Sequence, residues 1–217
     1  MNHSALEETF TQLVKQGEAF DVTISEQLVA RCLDFAKLLL TANESRNLTR
    51  LTSPENMTIG MFLDSLLFMR IIKGKEDVVD IGCGAGFPSV PLALAFPKLH
   101  ITAVDSRKMK VDFIAECCEE LGLNCLKAKH ARVEDLPPSS CDLVVARAVG
   151  SLPKTLQLGL PLLRPGGRLT VARSATDLQE AFKKSKKLLS KCQVDTWTYR
   201  LPGYRKDFAH VTVTKGE

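Results

Sequence analysis

The chain has 217 residues, of which 45% are hydrophobic, enough for one globular domain with a sizeable core and a short extension. Its net charge of +4, from 29 Lys and Arg against 25 Asp and Glu, permits a polyanionic partner without requiring one. Seven cysteines, at 32, 83, 117, 118, 125, 141 and 192, form no C-x-x-C pair and no metal-ligand spacing, which excludes a disulfide framework and a zinc module and fits reduced thiols. The first residues carry neither a basic n-region nor an apolar h-region, and no apolar run approaches membrane-spanning length. A cytoplasmic protein with no membrane partner is expected.

The first 72 residues read as helical. Apolar residues recur at helical spacing over 4–16 and over 25–45, the latter through Leu28, Cys32, Phe35, Leu39 and Ala42. Ser53-Pro54-Glu55, an N-cap followed by proline at the first helical position, opens a third helix. From Val78 the pattern changes to alternating strands and helices. Strands are predicted near 78–81, 100–104, 124–129, 142–146, 168–173, 193–199 and 209–214, and helices near 86–95, 107–121, 151–163 and 176–191. Leu163-Arg164-Pro165-Gly166-Gly167 reads as a turn that ends one helix and launches a strand. The alternation implies an α/β protein, a seven-stranded doubly wound Rossmann-like sheet over 73–217 with a helical extension over 1–72. The last two strands, with only the loop from Leu201 to Asp207 between them, should pair antiparallel at one edge.

One stretch names a ligand class. Val78-Val79-Asp80-Ile81 runs into glycines at 82, 84 and 86, a spacing that turns the chain sharply out of a strand and brings backbone N–H groups against a ligand at the start of a helix. A dinucleotide fingerprint would need glycine where Phe87 stands, and no carboxylate where Asp80 would meet a pyrophosphate. S-adenosylmethionine carries an ammonium group instead, which suits Asp80. A second acid, Asp105, ends the next apolar run, where a carboxylate can take both ribose hydroxyls. Singly, the glycine triplet reads as a plain strand-to-helix turn and each acid as a helix cap; in one βαβ length they point to a methyltransferase.

Sites in such sheets lie at the carboxyl ends of the strands. The backbone of Gly82 to Phe87 is placed to hold the methionine part, Asp105 the ribose, and Ala131-Arg132-Val133-Glu134-Asp135 the adenine. Arg147 follows the fourth strand and Arg173 ends the fifth. No Asn/Asp-Pro-Pro-aromatic sequence follows the fourth strand and no Pro-Cys nucleophile exists, which argues against N6-adenine and C5-cytosine chemistry. An arginine in that place suits an acceptor atom that has its own lone pair and needs holding, not deprotonating. No residue is assigned as acid or base. Lys183, Lys184, Lys186, Lys187 and Lys191 read as a solvated helix face before a nucleic-acid patch, and Arg46 and Arg50 flank Asn47-Leu48-Thr49 at a helix end, where a cap and a substrate contact are both open.

Asn47-Leu48-Thr49, Phe62-Leu63-Asp64-Ser65, Asp80 through Pro88, Asp105-Ser106, Arg132-Val133-Glu134, Ala146-Arg147-Ala148 and Pro165-Gly166-Gly167 occur in the order and spacing of the RsmG family, also called glucose-inhibited division protein B, which the chain resembles over nearly its whole length. The resemblance implies methyl transfer from S-adenosyl-L-methionine to N7 of one guanine in bacterial small-subunit (16S) ribosomal RNA near the decoding site, by an enzyme expected to be a monomer. It implies cofactor contacts at Gly82, Phe87, Val133, Glu134 and Arg147, beside Asp80, Gly84, Gly86 and Asp105 from the residues themselves; substrate contacts are expected at Asn47, Arg132, Arg147 and Arg173. The chain departs from the family pattern at Met61, where a histidine is usual, at Met109, where a lysine is usual, at Ser89 in place of glycine, and at Arg173-Ser174 in place of Lys-Gly. These departures are expected on the RNA side more than the cofactor side, with Lys108, Lys110 and Arg173 supplying the displaced charge. A small-molecule methyltransferase and a catalytically impaired RNA-binding module are the alternatives, and a dehydrogenase a distant third.

Overall fold

The structure, a computed structural model, describes residues 3–147 and 149–216; Ala148 of the Ala-Arg-Ala motif lies outside them. Helical periodicity in the extension becomes α1 (His3–Thr11), α2 (Leu13–Glu18), α3 (Glu26–Arg46), α4 (Pro54–Met57) and α5 (Asp64–Leu66), with a π-helical segment at Thr58–Leu63 and a 3-10 turn at Leu67–Ile71. The single helix expected over 4–16 is two. The Thr11 hydroxyl donates to the Glu8 carbonyl at 2.7 Å and the Gln12 amide turns to the Thr9 carbonyl, a side-chain competition that interrupts the ladder. Ser25 caps α3 by accepting the Leu28 amide, and Asn47 closes it in the left-handed region at φ +48°. Ser53 caps α4 with proline at its first position, as its sequence predicts.

The α/β part runs β1 (Asp77–Ile81), α6 (Ser89–Ala95), β2 (His100–Asp105), α7 (Lys108–Glu120), β3 (Leu126–His130), β4 (Cys141–Arg147), α8 (Leu152–Gly159), β5 (Leu163–Ser174), α9 (Leu178–Leu189), β6 (Cys192–Tyr199) and β7 (Phe208–Lys215). The seven strands form one sheet in the order β3-β2-β1-β4-β5-β7-β6, parallel from β3 through β5, with β7 antiparallel to both its neighbours. The final hairpin pairs antiparallel as expected, yet its second strand lies inside. Burial explains the order: Ala209, Val211 and Val213 of β7 are fully buried, whereas Gln193 to Thr196 of β6 are exposed and suit an edge. The Pro-Gly-Gly turn becomes a bulge inside β5. Leu163 pairs with Cys141, the next residues loop out, and regular pairing resumes at Arg168 with Leu143.

Alternation along the strands divides the core. Val78, Ile101, Leu143, Val145 and Ala172 face α3, α6 and α7 in one cluster, which also takes Leu6, Phe10, Phe35 and Phe62 of the extension. Val79, Ile81, Val144, Ala146 and Val211 face Leu152, Leu156 and Ala181 of α8 and α9 in a second. At the amino ends of the strands Arg164 fastens β1 to β4, 2.9 Å from Asp77 and 2.6 Å from Asp142, which leaves the carboxyl ends for chemistry. Among the described residues no helix is long and apolar enough to cross a membrane.

Candidate cofactor site

Beyond β1 the chain wraps tightly against β2. The Gly82 and Cys83 amides donate to the Val104 carbonyl at 2.8 and 3.1 Å, the Gly84 amide to Asp105 Oδ2 at 3.0 Å, and the Gly86 and Phe87 amides to the Cys83 carbonyl. All three glycines have positive φ, and a Cβ on Gly82 would stand 2.8 Å from Val149 Cγ2. These amides are therefore committed to the loop and to β2, whereas the sequence reading directed them at a ligand. An amide nest for a pyrophosphate is not what this loop offers.

What it offers is an acceptor. Asp80 is fully buried; its Oδ2 accepts the Ser89 amide at 3.2 Å, and its Oδ1 has no partner. Burial pushes the carboxyl up to about 7, with Ser89 and Arg147 pulling down and Asp105 pushing further up. A buried polar atom left unpaired costs about 1–3 kcal/mol. An ammonium group supplies the missing donor and the missing charge, so the residues fit S-adenosylmethionine where they would repel a phosphate.

At the carboxyl end of β2, Asp105 is bound through both oxygens, Oδ2 to the Gly84 amide and Oδ1 to the Arg107 amide at 2.9 Å, with the Arg107 side chain 3.4 Å away. Each oxygen keeps lone-pair capacity for a ribose hydroxyl. Asp105 lines a cleft of about 350 Å³ with Gly82, Arg107, Arg132, Val133, Glu134 and Val149. Val133 and Glu134 enter it from a 3-10 turn after β3, and Glu134 lies 3.6 Å from Lys154. Its own backbone hydrogen bond is the first cause that holds the Glu134 carboxyl below the usual range. A larger groove of about 740 Å³ between α3 and α7 shares no residue with this cleft or the glycine loop.

The remaining sequence-predicted residues do not line the cleft. Asp80, Gly84, Gly86 and Phe87 form its support, the Phe87 ring being buried 5.2 Å from Phe35 and 5.1 Å from Phe62. Arg147, mostly buried, donates to the Gly60 carbonyl at 2.8 Å. Arg173 is partly buried with Nη1 unpaired. Asn47 is the exposed cap of α3. Two departures from the family pattern lie elsewhere than expected, since Met61 is buried in the core and the Ser89 amide donates to Asp80 behind the glycine loop. Lys110 supplies no surface charge: it is buried and donates to the Leu48 carbonyl. Lys183, Lys184, Lys186, Lys187 and Lys191 are exposed, with Lys184 2.6 Å from Glu180. Burial pushes the thiols of Cys32, Cys117 and Cys141 up to about 12, which makes them poor nucleophiles. Sequence reasoning missed Arg107 and Val149 in the cleft and Asp64 beside Arg147. The signal for Asp64 was present as a lone acid inside the apolar run from Met61 to Phe68.

The parallel sheet with its antiparallel β7, the acid before the glycine loop and the acid after β2 define a Rossmann-like methyltransferase. The fold is shared with an S-adenosylmethionine-dependent methyltransferase from Aquifex aeolicus, at a TM-score of 0.59 and 14% identity over 81% of this chain and 97% of that one. The particular family follows from sequence. Residues 29–203 match the family described as rRNA small subunit methyltransferase G, GidB, and the chain belongs to it. Proteins named ribosomal RNA small subunit methyltransferase G from Desulfitobacterium hafniense and Myxococcus xanthus are 34% and 36% identical, over 80% and 88% of this chain and 74% and 90% of theirs.

Proposed function

We propose that the chain transfers the methyl group of S-adenosyl-L-methionine to N7 of one guanine in small-subunit (16S) ribosomal RNA near the decoding site. The observation that carries the cofactor is the unpaired, buried Oδ1 of Asp80 in β1, beside a loop whose glycine amides are already paired. The substrate class comes from the family to which the chain belongs. When bound, the cofactor supplies an electrophilic methyl on a sulfonium.

In this reading the residues divide the work of holding. Asp80, buried behind the cleft, supplies the negative charge for the ammonium, and Asp105 takes the ribose hydroxyls. Gly82 lines the cleft with Val133 and Glu134, which take the adenine, while Gly84, Gly86 and Phe87 keep the loop's shape and Arg147 stands at the acceptor end. Asn47, Arg132 and Arg173 contribute to RNA contact. Guanine N7 carries a lone pair on the major-groove edge, so no side chain has to remove a proton. Catalysis is then positioning and exclusion of water, with N7 brought to about 3 Å from the methyl carbon. The protein works as a monomer in the cytoplasm, with 1–72 as the extension and 73–217 as the methyltransferase domain. Labelled methyl transfer to undermethylated small subunits, followed by nucleoside analysis, tests the proposal. Label in 7-methylguanosine is expected; label in another nucleoside, or none, overturns it.

A further inference from the structure

Four segments distant in sequence meet at Arg147. Its Nη1 donates to the Gly60 carbonyl of the π-helical segment and lies 3.4 Å from Asp64 Oδ2, and its Cζ stands 5.5 Å from the centre of the Phe87 ring in the glycine loop. Asp64, 5% exposed, accepts the Tyr199 hydroxyl through its other oxygen at 2.7 Å. Tyr199 is the last residue of β6, equally buried, with its ring stacked 4.5 Å from Trp197.

The Arg147–Asp64 contact is long at 3.4 Å, whereas the Tyr199–Asp64 bond is short at 2.7 Å. A carboxylate held only by one long contact can rotate about its terminal bond, and the Tyr199 bond removes that freedom, which aims Oδ2 at Arg147. After these contacts the Arg147 side chain keeps 17% of its surface exposed although its Nε is buried, so part of the guanidinium stays open to a ligand.

We propose that Tyr199 and Asp64 are positioning residues for Arg147, fixing its guanidinium through the chain from tyrosine hydroxyl to carboxylate so that the acceptor base meets one rigid, planar donor group at the carboxyl end of β4. This rests on the methyl-transfer reading above. A planar donor in that place suits guanine O6, leaves N7 free for the methyl group and disfavours adenine, which presents an amino donor there. The N-terminal extension and the edge of the sheet thereby take part in base selection without touching the base.

Tyr199→Phe, Asp64→Asn and the double variant test this beside the wild-type protein. Single-turnover transfer to undermethylated subunits is measured at saturating cofactor and RNA, with cofactor Kd, Tm and the 15N resonance of Arg147 Nε followed in parallel. Tyr199→Phe keeps the stacked ring, so it should fold; its transfer rate should fall about tenfold while cofactor Kd stays within about twofold. The double variant should be no slower than Asp64→Asn alone, because both changes break one chain. Additive losses, or a lowered Tm with an unchanged rate, overturn the proposal. Should the wild-type protein transfer no methyl to RNA, the functional reading fails by itself, and the Nε resonance still decides the positioning: it should broaden in Tyr199→Phe, and a signal as sharp as the wild type's refutes the clasp.

Discussion

Replacing Asp80 by Asn should make the protein worse at binding its cofactor and, at alkaline pH, more stable. The native carboxyl titrates near 7 where an unfolded one titrates near 3.8. Between those values the native state holds a proton that the unfolded state has lost, so stability contributed by the neutral carboxyl is full below pH 4, declines by 1.36 kcal/mol per unit, and is gone above about pH 7. The whole loss is about 4 kcal/mol. Asn carries no such dependence, though its amide N–H inherits the unpaired place of Oδ1 at a constant cost of about 1–3 kcal/mol. The difference in unfolding free energy between variant and wild type should therefore shift by about 4 kcal/mol in the variant's favour from pH 4 to pH 8 in urea titrations. Binding should run the other way. The ammonium selects the ionised carboxylate, so wild-type affinity by calorimetry should fall about tenfold per unit below pH 7, and fall again above about pH 8 as the cofactor's α-amino group loses its proton. Asp80→Asn should bind weakly and lack the acidic limb. A wild-type affinity level from pH 7 down to 5.5 refutes the role given to Asp80.

Asp105→Ala strips acceptors from the Gly84 and Arg107 amides as well as from the ribose, so cofactor affinity should fall by about 1–3 kcal/mol in calorimetry; unchanged affinity contradicts the ribose assignment. Gly86→Ala, with φ +96° and a Cβ 2.8 Å from Val90 Cγ2, should lose about 2–4 kcal/mol of stability by denaturant titration. Gly84→Ala, at φ +55° with nothing nearer than 3.9 Å, should lose about 1–2 kcal/mol, and equal losses would refute the packing argument. Replacing Lys183, Lys184, Lys186 and Lys187 together with Gln should leave both cofactor affinity and the salt slope of RNA binding unchanged, whereas a shallower slope makes that helix a phosphate contact. At saturating cofactor and RNA, single-turnover transfer should be nearly flat from about pH 6.5 to 9, and a tenfold rise per unit across neutrality would mean that the acceptor needs a base.

Local signals in the sequence were sufficient for most elements. Ser53 caps the helix it precedes, Asp80 and Asp105 stand at strand ends, and Val133 and Glu134 enter the cleft. What stayed illegible depends on partners far along the chain. The inner position of β7 follows from which of two similar strands has more apolar surface to bury. Lys110 reads as surface charge until α7 is seen to press it onto Leu48. The glycine amides read as ligand donors because sequence does not reveal that the Val104 and Cys83 carbonyls and the Asp105 carboxylate take them first.

The helical extension bears on the site through the same kind of long-range contact. Phe10 lies 4.9 Å from Phe62, Phe62 5.1 Å from Phe87, and Phe35 packs between Phe87 and Phe113, so a buried chain of rings joins α1, the π-helical segment and α3 to the glycine loop and α7. A loop of three glycines has little stiffness of its own. Its shape is held on one side by hydrogen bonds to β2 and on the other by Phe87, whose packing partners Phe35 and Phe62 both belong to the extension. The π-helical segment adds a polar tie where the Gly60 carbonyl accepts from Arg147. Phenylalanine at position 87, which in the sequence served to exclude a dinucleotide, is thus a side chain through which the first 72 residues pack against the glycine loop and, beside it, Arg147.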